Sequence, residues 1–207
     1  MPEAVNTAPR PLRLGAVILA AGASSRMGAV KQLLDVGGKP QVARAVDAAV
    51  GAGARPVAVV LGASADLVRS AVAERGILEV VNGDWARGLA TSICAGLAAL
   101  LAAEASLEAV LLAPCDQPAL SSEVILQLSA LHRATGLIAA ARYHGRNGAP
   151  AVFGRGHFEA LLALTGDEGA RKLLNADSTR VAAIDLPELG ADLDTPEDYA
   201  SWLDRRP

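Results

Sequence analysis

Apolar residues gather in short unbroken runs, separated by longer stretches with helical spacing. Residues 15–21 (GAVILAA), 56–61 (PVAVVL), 77–81 (ILEVV) and 109–113 (AVLLA) are continuous rather than alternating. That pattern predicts strands covered by helices on both faces. Helical stretches fall between them, over residues 41–50, 65–75 and 88–103. A fourth, over 121–134, follows the stop at Pro118 and has serines as candidate caps. The order βαβαβαβα predicts a three-layer α/β/α fold with a mostly parallel, doubly wound sheet and right-handed crossovers. Beyond Gly136 the pattern loosens. Strands are predicted at 137–143 and 151–153 around a turn at GRNG (145–148), followed by two short helices. A strand near 181–185 and a C-terminal helix opened by DTPED (194–198) complete the chain. No repeat or linker divides it, so residues 14–207 are expected to form one domain and the proline-bearing residues 1–13 a disordered tail.

Composition narrows the picture. The 207 residues are 52% apolar and 20% charged, which is globular, and with aromatics at 3% the core must be built from Ala, Val, Leu and Ile. Nineteen basic side chains stand against 22 acidic ones, a formal charge of −3, so no nucleic-acid partner is expected. Cys94 and Cys115 fit no zinc spacing, and a reducing cytoplasm is the expected compartment. The start carries no targeting segment, and the apolar stretch 88–103 is too short to span a bilayer, so no membrane association is expected.

Open α/β sheets bind ligands at the carboxyl ends of their strands. Three predicted strand ends carry polar residues: the loop after the first strand, Asn82 after the third and Asp116 after the fourth. In LAAGASSRMGAVK (19–31), Gly22, Ser24 and Ser25 are small enough to let backbone N–H groups approach phosphate oxygens. Arg26 and Lys31 supply positive charge. The spacing is neither a Walker A loop nor a dinucleotide fingerprint. Asp116, between Pro114 and Pro118, is a candidate magnesium ligand, since that ion needs only one or two carboxylates beside phosphate oxygens. A turn-capping role is its alternative. Residues 194–198 read as a helix start, with Pro196 at the first helical position and Asp198 three residues after Thr195, which leaves Asp192 unexplained.

The loop resembles the LAAGxSxRMGxxK signature of nucleotidyltransferases of the molybdenum cofactor type, within the wider Rossmann-like nucleotidyltransferase superfamily. Leu19, Ala20, Ala21, Gly22, Ser24, Arg26, Met27, Gly28 and Lys31 fill every defined position. Asn82, Trp85, Gly88 and Ser92 resemble the family's NxxWxxGxxxS element, and residues 114–118 its PCDQP box. Residues 166–171 are similar to GDxGAR and residues 192–199 to DxDTPEDY. The resemblance implies a Rossmann-like nucleotidyltransferase in which the acceptor's terminal phosphate attacks the α-phosphorus of a nucleoside triphosphate and pyrophosphate leaves. Arg26, Lys31 and Asp116 are then the catalytic candidates. Leu19 to Gly22, Ser24, Ser25, Arg26, Lys31, Asn82, Gly88 and Ser92 would bind the nucleotide, with the Asn82 amide suited to a base edge. Trp85 is expected to pack. Asp116 and Asp192 would hold Mg2+. Arg146, Asn147, Asp167, Arg171 and Asp194 would meet the acceptor, although Ala149 stands where relatives often carry histidine.

Ala20-Ala21 and the aspartates of the C-terminal box separate the chain from guanylyl-transferring relatives, which tend to have Gly-Gly and asparagine there. CTP is therefore the expected donor, another nucleoside triphosphate the alternative, molybdenum-loaded molybdopterin the expected acceptor, and a molybdoenzyme a candidate client. A sugar or alcohol phosphate is the alternative acceptor. Alcohol-phosphate enzymes usually insert residues and a proline before the lysine, whereas Met27 to Lys31 is compact. A non-catalytic cofactor-delivery protein is a further reading, but it gives no reason to keep Arg26, Lys31 and Asp116 together.

Overall fold

The computed structural model describes residues 10–204 apart from Glu74, Glu168 and Ala176. The expected tail therefore lies outside the described residues up to position 9. Residues 10–13 run against the domain: Arg10 pairs with Glu108, and the Arg13 N–H donates to the same carboxylate at 3.0 Å.

The strands are β1 (Leu14–Ala20), β2 (Val57–Leu61), β3 (Leu78–Val81), β4 (Ala109–Pro114), β5 (Ile138–Tyr143), β6 (Arg146–Gly154) and β7 (Val181–Asp185). The α-helices are α1 (Gln41–Gly51), α2 (Ala65–Val72), α3 (Leu89–Ala103), α4 (Ser122–Thr135), α5 (Phe158–Leu162), α6 (Arg171–Asn175) and α7 (Pro196–Asp204). They form one seven-stranded sheet in the order β3-β2-β1-β4-β6-β5-β7, parallel except for β6, which runs antiparallel to β4 and β5. This is the expected mostly parallel α/β/α architecture.

Side chains of β1 alternate between two cores. Ala16, Ile18 and Ala20 face Val42 and Val46 of α1, Val68 of α2 and Ile125 and Leu128 of α4. Val17 faces Ile93, Leu97 and Leu100 of α3, with Phe158 and Leu161 of α5 beyond. Both faces are covered, which is why the strands read as continuous apolar runs. Helix α3 lies very close to β1: a Cβ at Gly96 would stand 2.5 Å from Val17, so only glycine fits. A third, smaller cluster joins Met27 of the first loop to Val36 and Leu193, with Tyr199 and Trp202 of α7 packed against it.

Three expectations are corrected. β3 is an edge strand, half-buried at Leu78 and Val80 and exposed at Glu79 and Val81, because among the described residues only β2 pairs with it. Helix α2 stops at Val72 rather than residue 75. The GRNG segment is not the turn: Arg146, Asn147 and Gly148 belong to β6, and the chain reverses at His144 and Gly145, both at positive φ. Two consecutive positive-φ residues match the twist of a tight hairpin, a preference that the bulky His144 hid.

Chain direction across the sheet switches between β1 and β4, which are parallel neighbours with connections running to opposite sides. Their carboxyl ends open a crevice of the kind that binds ligands. A cavity of about 810 Å³ lies there.

Candidate active site

The loop leaving β1 is tied down by a buried side chain, Gln32, which is 1% exposed. Its amide N–H donates to the carbonyls of Ala20 at 3.1 Å and Gly22 at 2.8 Å. Its Oε1 accepts from the Ser24 hydroxyl at 3.0 Å, and that hydroxyl accepts from the Lys31 N–H at 3.1 Å. Ser24 thus closes the loop from inside, at a φ of 55° that a non-glycine residue seldom adopts. Sequence reasoning missed Gln32, because a glutamine next to a lysine carries no signature until its burial is known.

Lys31 immediately precedes Gln32 and reaches Asp116, just beyond the end of β4. Its ammonium donates to Asp116 Oδ2 at 2.6 Å and to Asp194 Oδ1 at 2.9 Å. The Lys31 and Asp116 side chains are only 17% and 18% exposed. Burial works against the charged ammonium, but the two carboxylates outweigh it and hold the Lys31 pKa above the ordinary lysine value. Asp194 also accepts from Arg26 at 2.7 Å. Burial raises the Asp194 carboxyl, but Lys31 and Arg26 overcome this and keep it below the usual carboxylate range. The Arg26 side chain is 73% exposed, so this outer pair adds little stability.

Asp192 lies on the same side of the cavity in the opposite electrostatic situation. The protein around it, then the like charges of Asp116 and Asp194, push its pKa up to about 6, and Gln117 and Lys31 offset this only in part. Negative charge is in excess at Asp192. Asp116 and Asp192 both line the cavity and are the carboxylates there that could hold a divalent ion. Among the described residues no three His, Cys, Asp or Glu side chains form a metal cage by themselves. Magnesium, which retains waters and takes phosphate oxygens, does not need one.

The Asn82 amide is committed elsewhere. Its N–H groups donate to Thr91 Oγ1 at 2.9 Å and Ser92 Oγ at 3.0 Å, and its Oδ1 accepts from the Asp84 N–H at 2.9 Å. Asn82 is 6% exposed, and these bonds pin the end of β3 to the start of α3. Ser92, Gly88 and Trp85 do line the cavity. Trp85 also packs against the second core, as expected. Gly88 has φ 118°, and a Cβ there would lie 2.5 Å from the Gly166 carbonyl oxygen, so glycine lets the 166–167 segment close over α3.

The cavity is also lined by Tyr143, His144, Arg146, Asn147, Asp167 and Arg171. Gln117 braces it, donating to the carbonyls of Ala149 at 3.1 Å and Leu189 at 3.0 Å. Tyr143 donates to the Ala149 carbonyl at 2.9 Å. Gln117 belongs to the PCDQP string, but its structural task appears only once β6 and the Leu189 segment are in place.

The structure thus gathers Leu19, Ala21, Gly22, Lys31, Gly88, Ser92, Asp116, Arg146, Asn147, Asp167, Arg171 and Asp192 around one cavity. Ala20, Ser24, Ser25, Arg26, Asn82 and Asp194 are not on its wall. Ala20 is buried in β1, Ser25 is exposed, and Asp194 and Arg26 stand behind Lys31. Asp194 is therefore bound to the cationic cluster rather than aligned with the Arg146 and Arg171 wall.

Comparison with known proteins bears on the family and the fold. The family model of the MobA-like NTP transferase domain matches residues 16–185. A protein of Paenarthrobacter nicotinovorans named nicotine blue oxidoreductase is 36% identical over 197 residues, 87% of this chain and 92% of its own. The crystal structure of Rv0371c from Mycobacterium tuberculosis superposes with a TM-score of 0.79 at 32% identity, covering 95% of this chain and all of that one. The same mycobacterial protein is also known in complex with manganese. A nucleotidyl transferase from Methanothermobacter gives a TM-score of 0.76 at 25% identity, over 93% of this chain and 96% of that one.

Proposed function

This chain belongs to the MobA-like NTP transferase family, a family of nucleotidyltransferases, and from that premise we propose that it moves a nucleoside monophosphate, CMP from CTP, onto the terminal phosphate of molybdenum-loaded molybdopterin. The observation that carries this reading is the convergence of Lys31, Asp116 and Asp192 on one end of the cavity, at the carboxyl ends of β1 and β4. The N–H groups of the Gly22 loop and the charges of Lys31 and Arg26 are suited to hold the triphosphate and to balance charge gathering on departing pyrophosphate. Arg146, Arg171, Asn147 and Asp167 line the same cavity, where an anionic acceptor would bind.

Asp116 and Asp192 would hold Mg2+, for which the excess negative charge at Asp192 is the supporting observation. The manganese complex of the mycobacterial relative supports a divalent ion in this family. When bound, such an ion neutralises charge on the phosphates. The preference for CTP rests on Ala20-Ala21 and on Asp192 and Asp194 standing where guanylyl-transferring relatives differ.

A second reading has one observation behind it: the relative aligned over 92% of its own length is named as an oxidoreductase. One panel separates the two. The chain is incubated with magnesium and each of CTP, GTP, ATP and UTP, with and without molybdenum-loaded molybdopterin, and pyrophosphate is measured. A parallel series follows consumption of reduced nicotinamide cofactors. Acceptor-dependent pyrophosphate release, strongest with CTP, is expected. Acceptor-dependent release strongest with another triphosphate would move the donor assignment, and nicotinamide consumption without pyrophosphate would overturn nucleotidyl transfer.

A further inference from the structure

Resting on the nucleotidyl-transfer reading, the geometry points to a second task for Lys31: its ammonium competes with a divalent cation for the Asp116 carboxylate, so that metal binds well only after a polyphosphate has drawn the lysine away. The ammonium is a cation in close contact with two carboxylates, 2.6 Å from Asp116 and 2.9 Å from Asp194. Arg26 occupies the other Asp194 oxygen at 2.7 Å, so Asp194 is held by two cations at once. A divalent ion placed at Asp116 would face the Lys31 ammonium across a partly buried carboxylate, where like-charge repulsion is weakly screened.

A nucleoside triphosphate changes this balance. Its several anionic oxygens carry more negative charge than the two carboxylates, Asp116 and Asp194, that hold Lys31. A lysine, with a flexible stem and three rotatable donors, can change partners at small cost where a planar arginine fork would not. Asp194 keeps Arg26 when Lys31 leaves, so the cluster is not stripped of every cation. The Asp116 and Asp192 carboxylates are then free for the ion that arrives with the phosphates. Lys31 in this way couples metal entry to nucleotide entry and keeps metal affinity low otherwise.

The test is manganese alone. Mn2+ binding is titrated without nucleotide, by electron paramagnetic resonance of the free ion, for the wild type, Lys31→Met, Lys31→Arg and the Lys31→Met/Asp116→Asn pair. Circular dichroism checks each fold, and Lys31→Gln repeats the measurement if Lys31→Met does not fold. Lys31→Met is expected to bind Mn2+ roughly tenfold more tightly than wild type or better, the scale of one lost charge-assisted contact. Lys31→Arg is expected to stay near wild type, and Asp116→Asn to abolish the gain. A neutral variant that binds Mn2+ no better than wild type overturns the proposal, as does a gain that survives loss of Asp116. Failure of nucleoside triphosphates to bind would leave this metal-only result standing and would count against nucleotidyl transfer instead.

Discussion

Thr195 and Asp198 cap each other across the first turn of α7. The Asp198 N–H donates to Thr195 Oγ1 at 3.2 Å, and Asp198 Oδ2 accepts from the Thr195 N–H at 2.9 Å and from its hydroxyl at 2.8 Å. The helix start is therefore closed without Asp194, whose two oxygens turn instead to Lys31 and Arg26. The neighbouring residues of one acidic string divide into a cap and a charge anchor.

Thr195→Ala is expected to lower stability by about 1 kcal/mol, the usual value of an N-cap. Chemical denaturation measures it. Asp194→Asn is expected to leave the unfolding midpoint near wild type while raising the KM for the triphosphate, because Lys31 and Arg26 lose their shared anchor. Equal destabilisation by both variants, with KM unchanged, would return Asp194 to the capping role.

Gln32→Ala removes the donor to the Ala20 and Gly22 carbonyls and leaves them short of partners in a buried place. A loss of about 1–3 kcal/mol is expected. Triphosphate affinity should fall with it, since the loop carrying Ser24 and Lys31 is no longer held. Calorimetric titration of the nucleotide, beside denaturant unfolding, reads both effects. Tight nucleotide binding by a destabilised Gln32→Ala would show that the loop keeps its shape without the glutamine.

The Asp192 carboxyl, raised to about 6, makes stability depend on pH in a definite direction. The folded chain binds this proton more strongly than the unfolded one, so the contribution is fully present below about pH 4 and is lost as pH rises through 6. Asp192→Asn should remove that slope and gain stability at pH 7 in metal-free buffer. The gain is discounted to about 1 kcal/mol or less, because the side chain opens onto solvent. Unfolding midpoints of the two chains between pH 4 and 8 provide the check, and parallel profiles would show that Asp192 is not crowded by Asp116 and Asp194.

Much of the sheet was readable because β1, β2 and β4 are buried on both faces and announce themselves as unbroken apolar runs. The β5–β6 turn falls at His144-Gly145 rather than at GRNG, because His144 at positive φ is a weaker turn signal than the Asn147-Gly148 pair that lies within β6. Lys31 and Asp116 stand out in the sequence as polar residues beyond strand ends, whereas Asp192 stands out only through the resemblance of its DxDTPEDY string. Gln32 and the internal role of Asn82 do not, since both depend on partners eight to twelve residues away whose burial only the folded chain reveals. The pairing of Asp194 with Lys31 spans 163 residues and has no local signal at all.

Nucleotidyl transfer at the Lys31–Asp116 end of the cavity is tested most directly by kcat/KM for acceptor-dependent pyrophosphate release in Lys31→Ala and Asp116→Asn, with circular dichroism confirming the folds. Both variants are expected to lose about 100-fold or more at saturating magnesium, the scale of removing one preorganised electrostatic contact from a transition state. Two folded variants that each turn over within about threefold of wild type would contradict the account, because the reacting phosphates would then have to lie elsewhere.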